Sequence, residues 1–246
     1  MPLLTASLCN QGGRSANQDS VGIFSQGSWR CLVVADGLGG HRGGEIASKL
    51  AVETVEKAFR ESPVLSAKAV QSYIRAANRA VHEEASRSSE LSSMRTTIVV
   101  ALVGEQHVII GHVGDSRGYL LRRDQATVRT KDHSVPQALV NAGELEDDQI
   151  RFHEDRNRLI KVLGSEPDIT PTVWPEAERL GPKDALLLCS DGFWEWLSDL
   201  EILVERIKTD VPRVWIAGMA ERLALRVQGL PDYDNYSAVA AVWEGA

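Results

Sequence analysis

Apolar residues recur along the chain with two different periods. Short β-type runs at 21–24 and 30–35 flank the turn-prone Ser25-Gln26-Gly27-Ser28. Beyond a glycine-rich segment, Ile46, Leu50, Thr54 and Ala58 recur every four residues beside Ala47, Ala51, Val55 and Phe59. This predicts a helix with one wide apolar face. A second helix is predicted over 66–86, burying Ala69, Tyr73, Ala77 and Val81. Strands return at 96–103, 107–113 and 118–122, with Gly104-Glu105-Gln106 as one of the turns between them. Such short spacing favours antiparallel hairpins, because a parallel crossover takes a dozen or more residues. Residues 131–170 are polar and weakly periodic, which predicts a helix over 136–142 and a mobile segment. A buried strand at 185–189, helices at 200–207 and 214–227, and a strand at 236–243 complete the pattern. The expected architecture is α+β, with helices covering stacked antiparallel sheets.

The 246 residues suit one large domain or two small ones, and no internal repeat or low-complexity linker divides them. Apolar residues at 43% and charged residues at 25% fit an ordinary globular protein. A net charge of −7 argues against nonspecific nucleic-acid binding, which depends on basic patches. No apolar run approaches the roughly 20 residues that span a bilayer. The opening MPLLTASLCN lacks the basic and long apolar regions of a signal peptide, so a cytoplasmic location without membrane attachment is expected. Cys9, Cys31 and Cys189 all lie in apolar stretches and read as small buried hydrophobes in a reducing compartment. A cysteine phosphatase needs an arginine six positions after its nucleophile. Ser15, Gly37 and Glu195 occupy those positions, which excludes that chemistry.

Candidate chemistry comes from aspartates at strand ends. Leu32-Val33-Val34-Ala35 runs into Asp36-Gly37-Leu38-Gly39-Gly40-His41, and Leu186-Leu187-Leu188-Cys189 runs into Ser190-Asp191-Gly192. A third apolar run, 107–113, is followed by Gly114-Asp115-Ser116-Arg117, and Asp234-Asn235 precedes the last strand. Each taken singly is an Asp-Gly or Asp-Ser turn. Carboxylates gathered together at one end of stacked strands repel each other unless cations lie between them. Arg14 and Asp19, five residues apart before a strand, could face a phosphate and a metal respectively. A GxGxxG dinucleotide motif fails at Arg42, and no Gly-Lys-Ser/Thr phosphate loop is present. The G-x-S-x-G around Ser116 offers a serine-hydrolase alternative, but that motif needs a helix directly after the serine and a strand is predicted there.

In this order the motifs resemble the metal-dependent protein phosphatase family, protein phosphatase type 2C, in its bacterial form. They are R-x-x-N-Q-D at 14–19, D-G-x-G-G-H at 36–41 with Gly44-Glu45, Thr96-Thr97, and G-D-S-R at 114–117. Asp132-His133-Ser134, Asn157-Arg158, S-D-G at 190–192 and D-N at 234–235 follow. The resemblance implies a four-layer αββα sandwich in one domain over 1–246, with a flap at roughly 133–165. It implies a bridged pair of Mn²⁺ or Mg²⁺ ions, with Asp36 on both, the Gly37 carbonyl on one, and Asp191 and Asp234 on the other. Asp19 would act through water, and Asp115 with Asp191 would form a third, weaker site. Arg14 and His41 would face the substrate, with Asn235 and Thr97 behind the ligands. Asp36, Asp191 and Arg14 would carry catalysis on phosphoprotein substrates of a Ser/Thr kinase, in a monomer that forms no phosphoenzyme. A non-catalytic relative that only binds phosphoproteins is the further alternative. Animal members of the family carry a histidine where this chain has Leu38, which leaves the leaving group without an assigned proton donor. His112 reads as a core-strand residue or one behind the metal ligands, the other unpatterned histidines as surface, and the tryptophans as core.

Overall fold

In the central strands both faces are apolar, so each must be covered on both sides. The computed structural model describes residues 3–39, 42–122 and 127–244. It begins with β1 (Leu3–Asn10), β2 (Asp19–Gln26) and β3 (Trp29–Leu38), followed by the helices α1 (Gly43–Glu61) and α2 (Ala67–Ala85). Next come β4 (Arg95–Thr96), β5 (Ile98–Gly104), β6 (His107–Val113), β7 (Arg117–Leu121) and β8 (Val128–Arg129). α3 (Val135–Ala142) and a 3₁₀ turn at Asp147–Phe152 precede the two-residue strands β9 (Thr172–Val173) and β10 (Glu178–Arg179). The remaining elements are β11 (Ala185–Cys189), α4 (Asp191–Trp194), α5 (Asp199–Lys208), α6 (Pro212–Val227) and β12 (Tyr236–Trp243).

The strands form two antiparallel sheets, ordered β1-β12-β11-β7-β8 and β10-β6-β5-β3-β2, with β4 beside β3 and β9 beside β6. Alternate residues of one strand enter different cores. On β3, Leu32 and Val34 point between the sheets, where Val99, Ala101, Leu186, Leu188 and Val239 meet them. Cys31, Val33 and Ala35 point outwards against Ala47, Ala51, Val55 and Phe59 of α1. Across the molecule, Leu187, Cys189, Ala238 and Ala240 pack on Phe193, Trp215, Met219 and Leu223. The result is the expected αββα order of layers. Both sheets are covered, which is why β5, β11 and β12 read as unbroken apolar runs rather than alternating ones.

Several expectations change. β1 was not predicted; it lies at a sheet edge beside β12 and is only half-buried, so its pattern is mixed. β2 and β3 run longer than their apolar cores, and β3 carries Asp36 and Gly37 within the strand rather than after it. Asp191 opens a single helical turn, too short for a helical period to show. Cys31 and Cys189 are buried as expected, but Cys9 is exposed on the edge strand. Trp194, Trp215 and Trp243 belong to the core, whereas Trp29, Trp174 and Trp196 are only partly buried. The turn at Asp124-Gln125 lies outside the described residues. No described helix is long and apolar enough to cross a membrane.

A buried ion pair fastens the chain near one end of the sandwich. The Arg117 guanidinium donates to both carboxylate oxygens of Asp132, at 2.7–3.3 Å. The two side chains are 2% and 1% exposed, and the guanidinium carbon lies 3.4 Å from the centre of the Trp194 ring. Removing one partner leaves a buried, unpaired charge. Asp132→Asn is therefore expected to lower unfolding stability by about 3–5 kcal/mol, read from urea melts of both proteins.

Candidate metal centre

Asp19 and Asp36 face each other as register partners on β2 and β3. Asp191 is delivered by the step from β11 into α4, Asp115 by the turn after β6, and Asp234 by the segment before β12. Asp36, Asp115, Asp191 and Asp234 line one cleft of about 420 Å³, together with Arg14, Gly37 and Asn235. Asp19 lies behind them. Its Oδ2 accepts from the Ser190 hydroxyl at 2.8 Å, while Oδ1 is buried with no hydrogen-bond partner.

The surroundings explain how these groups are held. At Gly37 a Cβ would come within 2.0 Å of the Gly44 carbonyl oxygen, so only glycine lets the start of α1 approach β3 this closely. The Thr97 hydroxyl accepts from the Asp36 amide at 3.1 Å, and its own amide donates to the Asp36 carbonyl at 2.8 Å. The Asn235 amide group donates to the carbonyls of Gln11 and Ala16 and accepts from the Gln18 amide, at 2.6–2.9 Å. It thereby fastens the loop that carries Arg14. Gly114 adopts a left-handed φ of +97°, and the turn it starts is held from the far side by His133.

His133 is partly buried rather than free on the surface. Its Nδ1 accepts from the Gly114 amide at 3.1 Å, so Nε2 carries the proton and donates to Thr172 Oγ1 at 2.8 Å. Its ring is stacked on His112 at 4.6 Å, and burial, with His112 alongside, pushes its imidazole down to about 3. The indole of Trp194 donates to the Asp115 carbonyl at 3.0 Å and braces the same turn.

The electrostatics are one-sided. Burial, with Asp191 and Asp19 nearby, holds the Asp36 carboxyl well above the usual carboxylate range. Burial and Asp191 do the same for Asp115. Burial raises Asp19 to about 7, and burial together with Asp234 raises Asp191. Asp36 and Asp191 lie close enough to share a hydrogen bond. Asp234 is turned to Arg14, whose Nε and Nη2 reach its two oxygens at 3.2 and 3.1 Å, while Nη1 reaches Asp232. Arg14 therefore neutralises a carboxylate here. As the side chains stand, no three acidic, histidine or cysteine groups among the described residues converge on one ion-sized point.

The cleft thus gathers Arg14, Asp36, Gly37, Asp115, Asp191, Asp234 and Asn235, with Asp19 and Thr97 behind. His41 lies outside the described residues. Leu38 lines the cleft and offers no proton. Gln18, Asn157 and Leu159 also form its walls; Gln18 and Asn157 stand within the family motifs but had no role assigned from sequence, and Leu159 was unmarked. Ser116 is fully buried, its hydroxyl lies 2.7 Å from that of Thr97, and strand β7 follows directly. That arrangement is the reverse of an exposed nucleophile on a strand-to-helix turn.

Known proteins agree with this geometry. A sequence profile described as Protein phosphatase 2C matches residues 10–225. The serine/threonine phosphatase stp of Listeria innocua is 33% identical over 195 residues, covering 77% of each chain. The solved structure of serine/threonine phosphatase Stp1 from Staphylococcus aureus superposes with a TM-score of 0.89 at 30% identity, over 100% of this chain and 96% of that one. The catalytic domain of the serine/threonine phosphatase PstP, solved in complex with 2 manganese ions, gives 0.82 at 30% identity, over 98% and 97% of the two chains. This chain belongs to the protein phosphatase 2C family. It is a protein serine/threonine phosphatase of that type.

Crowding like charges out of water works against folding. In chelator, Asp36→Asn or Asp191→Asn is expected to raise the melting temperature, by about 2–4 °C for each kcal/mol of strain removed. An unchanged or lower melting point in both variants would show that the carboxylates do not strain the fold.

Proposed function

We propose that this cleft hydrolyses phosphoserine and phosphothreonine in proteins by direct attack of water on phosphorus, supported by two divalent cations, Mn²⁺ or Mg²⁺. The observation that carries the reading is the group of Asp19, Asp36, Asp115 and Asp191, buried or partly buried and drawn together with too little positive charge among them. The donor set is all oxygen, which suits hard cations. The unpaired Oδ1 of Asp19 and the close backbone approach at Gly37 fit a site that takes further ligands.

Asp36, Asp191, Asp234 and the Gly37 carbonyl would hold the pair, with Asp19 acting from behind through water. Asp115 and Asp191 would form a looser third site. When bound, such cations acidify water for attack and offset the charge that builds on the phosphoryl oxygens. Once Asp234 no longer needs it, the Arg14 fork is free to turn to the phosphate, where its paired donors match two oxygens. Asn235 keeps that arginine over the cleft by fastening its loop. Leu38 gives no proton, so the leaving alkoxide is protonated from solvent in the cleft. Residues 133–165 act as the flap: they bring Asn157 and Leu159 to the wall of the cleft. The physiological substrates are phosphoproteins made by a Ser/Thr kinase.

Chelation is expected to stop hydrolysis of a phosphothreonine peptide, and added Mn²⁺ to restore it. Activity that survives chelation would sink the proposal. Asp36→Asn and Asp191→Asn are expected to lose more than about a hundredfold in kcat, beyond what indirect supporting residues cost. Ser116→Ala should keep most of its activity, losing only about 0.5–1.5 kcal/mol of stability with one hydrogen bond. Mn²⁺ at a hundred times its Kd should stabilise the wild type by about 2.7 kcal/mol, a direct readout of binding.

A further inference from the structure

A second cavity, of about 730 Å³, lies beside the catalytic cleft. Three chain segments line both. Asp115 faces the cleft and Arg117 the groove. Asn157 and Leu159 face the cleft while Arg151 and Phe152 face the groove. Asp191 faces the cleft while Glu195, Trp196 and Leu200 face the groove. The single turn of α4 connects the two, and four residues of helix rise about 6 Å. An extended peptide advances about 3.3 Å per residue. A substrate whose phosphoresidue sits against Asp191 therefore reaches the groove within two to four residues.

The groove has a definite chemical character. Phe152 is 81% exposed and Leu200 68% exposed, with the part-buried Trp196 near them. Exposed apolar side chains that share one groove, unlike those scattered singly, mark contact sites. Two cations in its wall are paired, Arg117 by Asp132 and Arg226 by Glu201, while Arg151 touches the Trp194 carbonyl and faces the charges of Asp199 and Glu201. On the rim Asp148 pairs with no cation among the described residues, and Asp147 and Asp199 share the single guanidinium of Arg129. Asp148 thus leaves a carboxylate without a paired cation among the described residues beside the exposed apolar side chains of Phe152 and Leu200.

We infer that this groove docks the substrate chain, accepting a large apolar side chain with a lysine or arginine beside it, two to four residues from the phosphorylated residue. The inference rests on the phosphatase reading of the neighbouring cleft. Docking of this kind sets which phosphoproteins are taken, not how fast the ester is broken.

The test uses the full chain with Mn²⁺ and three kinds of substrate. These are p-nitrophenyl phosphate, an alanine-flanked phosphothreonine peptide, and peptides with Leu-Arg placed two to four residues before or after the phosphothreonine. One of the Leu-Arg peptides is expected to show a KM about tenfold below the alanine-flanked one, equal to about 1.4 kcal/mol, with kcat little changed. Asp199→Asn combined with Leu200→Ala, both at the start of α5 and outside the flap, should erase that advantage. The same variant should keep its kinetics on p-nitrophenyl phosphate and on the alanine-flanked peptide. A common KM for all peptides, or an advantage that persists in the double variant, overturns the docking site. Failure of the wild type to hydrolyse p-nitrophenyl phosphate would instead overturn the phosphatase reading beneath it.

Discussion

Repulsion between carboxylates is the constraint around which this molecule is organised. Asp19 and Asp115 are buried, Asp36 and Asp191 partly so, and each holds its proton more tightly than a solvated carboxyl does. Such a group does not assemble by itself. The apolar cores of the αββα sandwich impose it, because packing the strands through Leu32, Val34, Leu186, Leu188 and Val239 brings their acidic ends together. Hydrophobic burial supplies the driving force and the carboxylates take some of it back. A fold that spends stability in this way keeps a ready demand for positive charge at one end.

The supporting residues divide the task. Thr97 fixes the backbone of Asp36, Ser190 occupies one oxygen of Asp19, and the glycines at 37 and 44 let α1 close against β3. Around Asp115, the bracing comes from His133 and Trp194, with the Arg117–Asp132 pair directly below. Rigid supports of this type place a ligand set more reliably than long mobile loops do. Arg14 is the exception, being half-exposed and held only through its loop and its acidic partners.

Legibility from sequence followed locality. The helices α1 and α2 and the strand β12 were readable because their packing repeats along the chain. The aspartates were readable because a buried run followed by Asp-Gly or Asp-Ser recurs. β1 was not, since an edge strand needs only half an apolar face, and neither was α4, which is one turn long. Arg117 and Asp132 look like ordinary surface charges until the fold buries them. His133 was misread because the groups that engage it, Gly114 and Thr172, lie 19 and 39 residues away. Gln18 and Asn157 become cleft walls only through tertiary placement.

Asn235 carries a consequence for the time course of synthesis. Its amide bonds reach back 217 to 224 residues to fasten the loop that bears Arg14. β12, which follows directly, pairs with both β1 and β11. A chain still emerging from the ribosome therefore has its first aspartates in hand but no assembled cleft. Enzymatic competence arrives abruptly once Asn235 and β12 have been made. A truncated or stalled product has no partial version of the active site to release into the cell.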